Sequence, residues 1–182
     1  KSNTYEIYSK ISFNENLNLS LRAFRANIQN NIEYLNNKYQ NDSDNIDLNQ
    51  SGFSNQLNFK FKNSNINFFS SFLSSEKENG ADQLRRPEKN YGINFSKIIN
   101  SNFFGNLNLN LKYNHYGKHF DTHSTNFSTI EMDSTDLVDL KISKKLNTGD
   151  FFIKITNALN ESYQRPHGYN HESRIFKFGI NY

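Results

Sequence analysis

The connections in this chain alternate in length, and that alternation constrains its fold more than any single residue does. Nine segments or so read as strands, at residues 4–13, 17–35, 46–61, 66–75, 91–99, 107–113, 138–146, 151–156 and 173–182. Short turns follow Phe13, Phe61, Ile99 and Leu146, and long polar loops follow Leu35, Ser75, Phe120 and Asn160. Within the segments apolar and polar residues alternate. Leu107, Leu109, Leu111 and Tyr113 interleave with Asn108, Asn110, Lys112 and Asn114, and Phe176, Phe178, Ile180 and Tyr182 with Lys177, Gly179 and Asn181. A period of two sends the two sets to opposite faces of a sheet. Because each strand reverses the chain, all the short turns fall at one end of that sheet and all the long loops at the other.

A soluble sandwich has strands of this kind but no reason to keep its connections so regular. A barrel in lipid has both features, with apolar side chains outward, polar ones toward the lumen, short turns on one side of the membrane and long loops on the other. Composition agrees. Mean hydropathy is -0.84, polar for a domain with a buried core, yet 15% of the residues are aromatic, with 17 Phe and 10 Tyr. That density of alternating aromatic and β-branched residues also argues against disorder. One irregularity stands out: Phe24 and Ile28 have the opposite parity to Leu17, Leu19 and Leu21, which predicts a bulge or register change near Ala23. The reading is therefore all-β, an antiparallel up-and-down transmembrane barrel segment. An odd strand count does not close a bacterial single-chain barrel, and the chain opens at Lys1, without Met, on the approach to a strand. Residues 1–182 are expected to form the C-terminal portion of one larger barrel domain.

Several functions are disfavoured by the same residues. The net charge of +3 is spread among Lys, Arg, Asp and Glu without the basic stripe that nucleic-acid binding needs. With no Cys, disulfides and thiolate chemistry are excluded. No Ser/His/Asp context, paired carboxylates or Gly-rich phosphate loop points to an enzyme, and no cofactor is implied.

The end of the chain carries a resemblance. DLVDLKISKKL followed by FFIKITNALNESYQRPHGYNHESRIFKFGINY, with Asn157, Ala158, Leu159, Asn160, Tyr163, Gly168, Tyr169, Arg174 and Tyr182 at the matching places, resembles the C-terminus of TonB-dependent outer-membrane receptors. His171, Glu172 and Ser173 stand where that family usually has Pro-Gly. Upstream, KSNTYEI resembles a further segment of the family, and Leu84, Arg85, Arg86 and Pro87 resemble the Leu-x-Arg-Arg-Pro of its cobalamin-receptor branch, lacking the intervening residue. The resemblance implies a plugged barrel of about 22 strands in the outer membrane of a Gram-negative bacterium, of which this chain supplies the last nine or so. It implies active import of a large scarce solute, cobalamin first, with a siderophore or haem receptor of the same superfamily second. The partners implied are outer-membrane lipid, the barrel-assembly machinery, and the TonB complex through an N-terminal plug that lies outside this chain. A passive porin and a small self-contained barrel are the alternatives.

Candidate ligand contacts are Arg85, Arg86, Tyr163, Tyr169 and Arg174. Arginine grips anionic groups bidentately, although the favoured reading of Arg85 and Arg86 is that they pair with lumenal carboxylates and hold the loop. Tyr163 and Tyr169 could stack on a flat ligand or belong to an interfacial belt. Phe176, Phe178 and Tyr182 are candidates for the aromatic girdle, and Tyr182 also for the terminal assembly signal. His115, His119, His123, His167 and His171 recur at a spacing of four, which would align metal ligands on a helix. On strands and loops it does not, so they read as solvated loop residues and no metal site is expected.

Overall fold

A computed structural model describes residues 1–30, 33–35, 38–40, 47–78, 80, 83–147 and 149–181. The alternating segments form a single nine-stranded antiparallel sheet in which each strand pairs with the next in sequence. Its members are β1 (Ser2–Asn14), β2 (Leu17–Ile28), β5 (Leu48–Phe61), β6 (Ser64–Lys77), β7 (Lys89–Ser101), β8 (Gly105–Tyr116), β11 (Thr135–Leu146), β12 (Gly149–Thr156) and β13 (Ile175–Asn181). Two small hairpins stand in the long connections, β3 (Glu33–Leu35) with β4 (Lys38–Gln40), and β9 (His119–Thr122) with β10 (Thr129–Met132).

The register explains why one face is apolar. Leu17, Phe59, Ile66, Phe95, Leu111, Leu140, Ile155 and Phe176 are successive cross-strand partners from β2 to β13. The opposite face carries a polar row at the neighbouring level, Ser12, Asn18, Asn58, Asn67, Asn94, Lys112 and Asp139. Asn67 Nδ2 donates to Asn58 Oδ1 at 2.7 Å, and Asn94 Nδ2 to Asn67 Oδ1 at 3.2 Å. The amides thus form a ladder that satisfies itself across three strands.

The described residues place no apolar core beneath this sheet. Among the described residues only Ala26 and Leu48 are buried hydrophobics, while Phe53, Phe72, Ile93, Ile142, Ile153, Phe176 and Phe178 of the apolar face are exposed. An uncovered apolar face of this extent is not tolerated by water. It is the surface a barrel wall presents to lipid.

Several boundaries differ from the sequence reading. β2 ends at Ile28 rather than near residue 35, and the polar stretch from 36 to 45 holds β4, the rest of it lying outside the described residues. The connection at 119–132 is a hairpin, β9–β10, not an unstructured loop. No bulge occurs near Ala23, since β2 pairs without interruption with β5, and the one irregularity with β1 lies at Ser12/Asn14. Phe24 has the opposite parity because its ring covers Gly52, its cross-strand partner, where a Cβ would lie 2.4 Å from the ring. Phe69 covers Gly92 and Phe152 covers Gly179 in the same way. Aromatic rings on the polar face thus lie over residues that have no side chain to displace them.

Candidate functional site

The long connections gather at the polar face's end of β7 and β8, and a buried carboxylate ties them together. Asp121, on β9, is fully buried. Its Oδ1 accepts from Arg85 Nε at 2.7 Å and from its neighbour Thr122's N–H at 2.7 Å, and its Oδ2 accepts from the His167 N–H at 2.7 Å. Three segments distant in sequence are joined at one side chain. Burial alone would raise the Asp121 carboxyl, but the Arg85 guanidinium and the two N–H donors outweigh it and hold the group below the ordinary carboxylate range. Arg85 reaches this position from a left-handed backbone, φ 60°.

Beside this knot lies a cleft of about 320 Å³ lined by Arg85, Pro87, Asn90, Tyr116, His119, Arg165 and Pro166. Asn90 and Tyr116 share the parity of Asn94 and Lys112, so the cleft opens on the polar face. The Arg165 guanidinium lies 4.2 Å from the Tyr116 ring centroid and 5.9 Å from that of Tyr163. Stacking leaves the edge N–H groups of a guanidinium free, and Arg165 has no carboxylate partner among the described residues. Asn90 Oδ1 is buried without a hydrogen-bond partner. His119, also buried, donates from Nδ1 to the Gly117 carbonyl at 3.4 Å, and burial depresses its imidazole below the ordinary value. A planar guanidinium on an aromatic platform, next to an unmet amide acceptor, suits a polar ligand that has both acidic and N–H or O–H groups.

The residues singled out in the sequence divide between several places. Arg85 holds the loops together through Asp121 and borders the cleft. Its neighbour Arg86 turns away to a second cavity of about 380 Å³ with Gln83, Lys118, His119 and Glu131. Gln83 is fixed there by Gln50 Nε2 at 2.9 Å and the Ser75 hydroxyl at 2.8 Å. Tyr163 stacks on His171 at 4.7 Å and backs Arg165. Tyr169 is exposed, and its N–H donates to the Pro166 carbonyl. Arg174 lies apart from the cleft, fixed by its N–H to Asn160 Oδ1 at 3.1 Å. Phe176 and Phe178 project from the apolar face of β13, Phe178 82% exposed. Tyr182 lies outside the described residues.

Two of the histidines, His115 and His119, are not the solvated loop residues expected. His115 stacks on Tyr91 at 4.4 Å and meets Asp136 Oδ1 at 2.9 Å, and His119 is buried. His123 and His167 lie 4.5 Å apart, but each Nδ1 accepts a backbone N–H, from Thr125 and Ser124 respectively. Each ring therefore carries its proton on Nε2 and has no lone pair left for a metal. Among the described residues no group of three or more His, Cys, Asp or Glu is placed to hold one.

Arg165, Tyr116 and Asn90 were not anticipated from the sequence. Asn157, noted there only as part of a motif, proves to be the hinge of the last connection. Buried at φ 50°, it donates from Nδ2 to the Glu161 and Glu172 carbonyls at 2.8 and 3.2 Å and accepts the Glu161 N–H at 2.9 Å.

No protein-family model matches the chain, and no curated protein matches its sequence. Solved structures do resemble it. The ferripyoverdine receptor of the outer membrane of Pseudomonas aeruginosa matches with TM-score 0.76 and 15% identity, over 95% of this chain and 26% of that one. The ferric yersiniabactin uptake receptor of Yersinia pestis matches with TM-score 0.77 and 14% identity, over 98% and 28%. The FrpB iron transporter of Neisseria meningitidis matches with TM-score 0.77 and 12% identity, over 100% and 31%. This chain thus spans less than a third of the length of those structures. At such identities the likeness is one of fold: the nine-stranded antiparallel up-and-down sheet of this chain matches part of those receptors and that transporter.

Proposed function

We propose that this chain is barrel wall and loop mouth of an outer-membrane receptor that imports a large, scarce metal chelate by TonB-dependent active transport. The observation that carries the proposal is the two-sided sheet: one face apolar and uncovered, the other polar, with a cleft at its loop end containing an arginine that has no carboxylate partner among the described residues. The receptors similar in fold are named for ferric ligands, which favours a siderophore. The cobalamin reading, carried by the resemblance at Leu84, Arg85, Arg86 and Pro87, comes second. The plug and the TonB contact belong to polypeptide outside these residues, so the wall's share of the work is to hold the loops over the lumen and present Arg165. The chain has no catalytic role in this reading, and its place is the outer membrane of a Gram-negative bacterium.

Uptake of radiolabelled ferric siderophores and of cobalamin, by cells expressing the gene in the presence and absence of TonB, tests it. A TonB-dependent signal for a ferric chelate that weakens at least tenfold in Arg165→Ala is expected, in line with loss of a charge-assisted contact. Equal uptake without TonB would replace active transport with a passive pore. TonB-dependent uptake of cobalamin alone would restore the cobalamin branch.

A further inference from the structure

Toward the short-turn end of this sheet, Lys97 and Lys144 stand on the apolar face. Lys97 has the parity of Tyr91, Ile93 and Phe95, and its cross-strand partners are Ser64 and Leu109. Lys144 has the parity of Leu140 and Ile142 and faces Phe151, which in turn faces Ile180. Both therefore project from the apolar face. Neither has a carboxylate partner among the described residues. A cation on a lipid-facing surface is costly at the bilayer midplane and nearly free at its margin, where the stem lies along hydrocarbon and the ammonium meets headgroups. Their position in the sheet is such a margin. Lys97 is level with Ser64, the first residue of β6 after the short β5–β6 turn, and Lys144 is two residues from the end of β11.

The surroundings add an apolar half to the site. Between the tips of the β7–β8 and β11–β12 hairpins runs an open groove lined by Phe103, Phe104, Lys144, Lys145 and Leu146. Phe103 is 95% exposed and Phe104 62%. Asp150 faces Lys145 in register, which leaves Lys144 as the cation without a facing carboxylate. Nearby, the Lys62 ammonium lies 5.3 Å from the centroid of the exposed Phe61 ring. Exposed phenyl rings interleaved with unpaired ammonium groups, at the edge of an apolar wall, complement a molecule that is anionic at one end and hydrocarbon at the other.

We infer that Lys97 and Lys144, with Phe103 and Phe104, form a binding site for an anionic glycerophospholipid on the short-turn side of the wall. The phosphate sits between the lysine ammonium groups, and the acyl chains run along the apolar face away from the turns. The site rests on the outer-membrane barrel reading, since only then does this margin meet a leaflet. Its chemistry differs from that of the mouth: the ligand is lipid, the surface is outside the lumen, and no residue of the long connections takes part.

The full receptor chain, reconstituted in nanodiscs of phosphatidylcholine alone or mixed with phosphatidylglycerol, allows the site to be tested by native mass spectrometry of the lipids it retains. Retention of phosphatidylglycerol over phosphatidylcholine is expected. Each of Lys97→Gln and Lys144→Gln should reduce that preference about fivefold, and Lys144→Arg should preserve it. Insertion into both bilayers with the same lipid preference in wild type and glutamine variants would overturn the site and leave the barrel reading intact. Failure of the wild type to insert into either bilayer would remove both. Because the substitutions are on the surface and one conserves charge, a folding defect would be recognised by its appearance in the arginine variant as well.

Discussion

Asp121 shows what a single side chain can do at the loop mouth. Its carboxylate is out of water, and it is stable as an anion only because Arg85, His167 and Thr122 all donate to it. The folded carboxyl titrates below its unfolded value of about 3.9. Its contribution is therefore fully present above that value and is lost as pH falls through the lower folded one. His119 acts in a higher window. Burial depresses its imidazole, a shift that the nearby Arg165 reinforces while the Gly117 carbonyl and Asp121 oppose it. The unfolded chain takes up a proton below about 6.5 that the folded loops resist, so stability declines from that point downward. Hydrogen exchange of the β9–β10 hairpin and the β12–β13 connection should show two successive losses of protection on acidification. His119→Gln should remove the upper one and Asp121→Asn the lower. Asp121→Asn should also weaken protection at neutral pH, because the asparagine cannot pair with the Arg85 charge.

At the scale of the strand, what the sequence shows and what it hides follow from where the partner residues lie. The strands were legible because each face is chemically uniform: Leu107, Leu109 and Leu111 against Asn108, Asn110 and Lys112 leave little room for another period. β9 and β10 were not, since runs as short as His119–Thr122 and Thr129–Met132 are too brief to display one. Phe24 and Phe69 broke the parity for a reason that needs two strands to see, the glycine opposite each. The mouth was the least legible part, because Tyr116, Arg165 and Asn90 meet only after three connections have folded onto one end of the sheet. The glycine pairing can be checked directly. A Cβ at Gly92 would lie 2.4 Å from the Tyr113 carbonyl oxygen and 2.6 Å from the Phe69 ring, and the backbone of β8 cannot yield as a side chain could. Gly92→Ala should destabilise the barrel by about 1–3 kcal/mol, read as a lower urea midpoint in detergent micelles. Ser96→Ala on the same face of the same strand should change it little.

For the molecule as a whole the decisive features are the two strands at the ends of the sheet order. β1 and β13 each have one neighbour, and they do not pair with one another among the described residues. β1 is exposed along its length. An open edge of this length, with its N–H and C=O groups unpaired, invites association in water and cannot exist in hydrocarbon at all. In the membrane these edges must be covered, either by each other or by further strands. The two possibilities give opposite results in one experiment, to which residues 1–182 contribute no cysteine of their own. Tyr5→Cys on β1 and Phe178→Cys on β13 place two thiols on the same face of the sheet. If nine strands closed on themselves the pair would oxidise within one chain, since a disulfide requires Cα atoms within about 7 Å. If further strands stand between them, as the larger barrel of the proposed receptor requires, the thiols are held far apart by a rigid wall. In outer membranes isolated from cells expressing the full gene, the double variant should then remain reduced under mild oxidation.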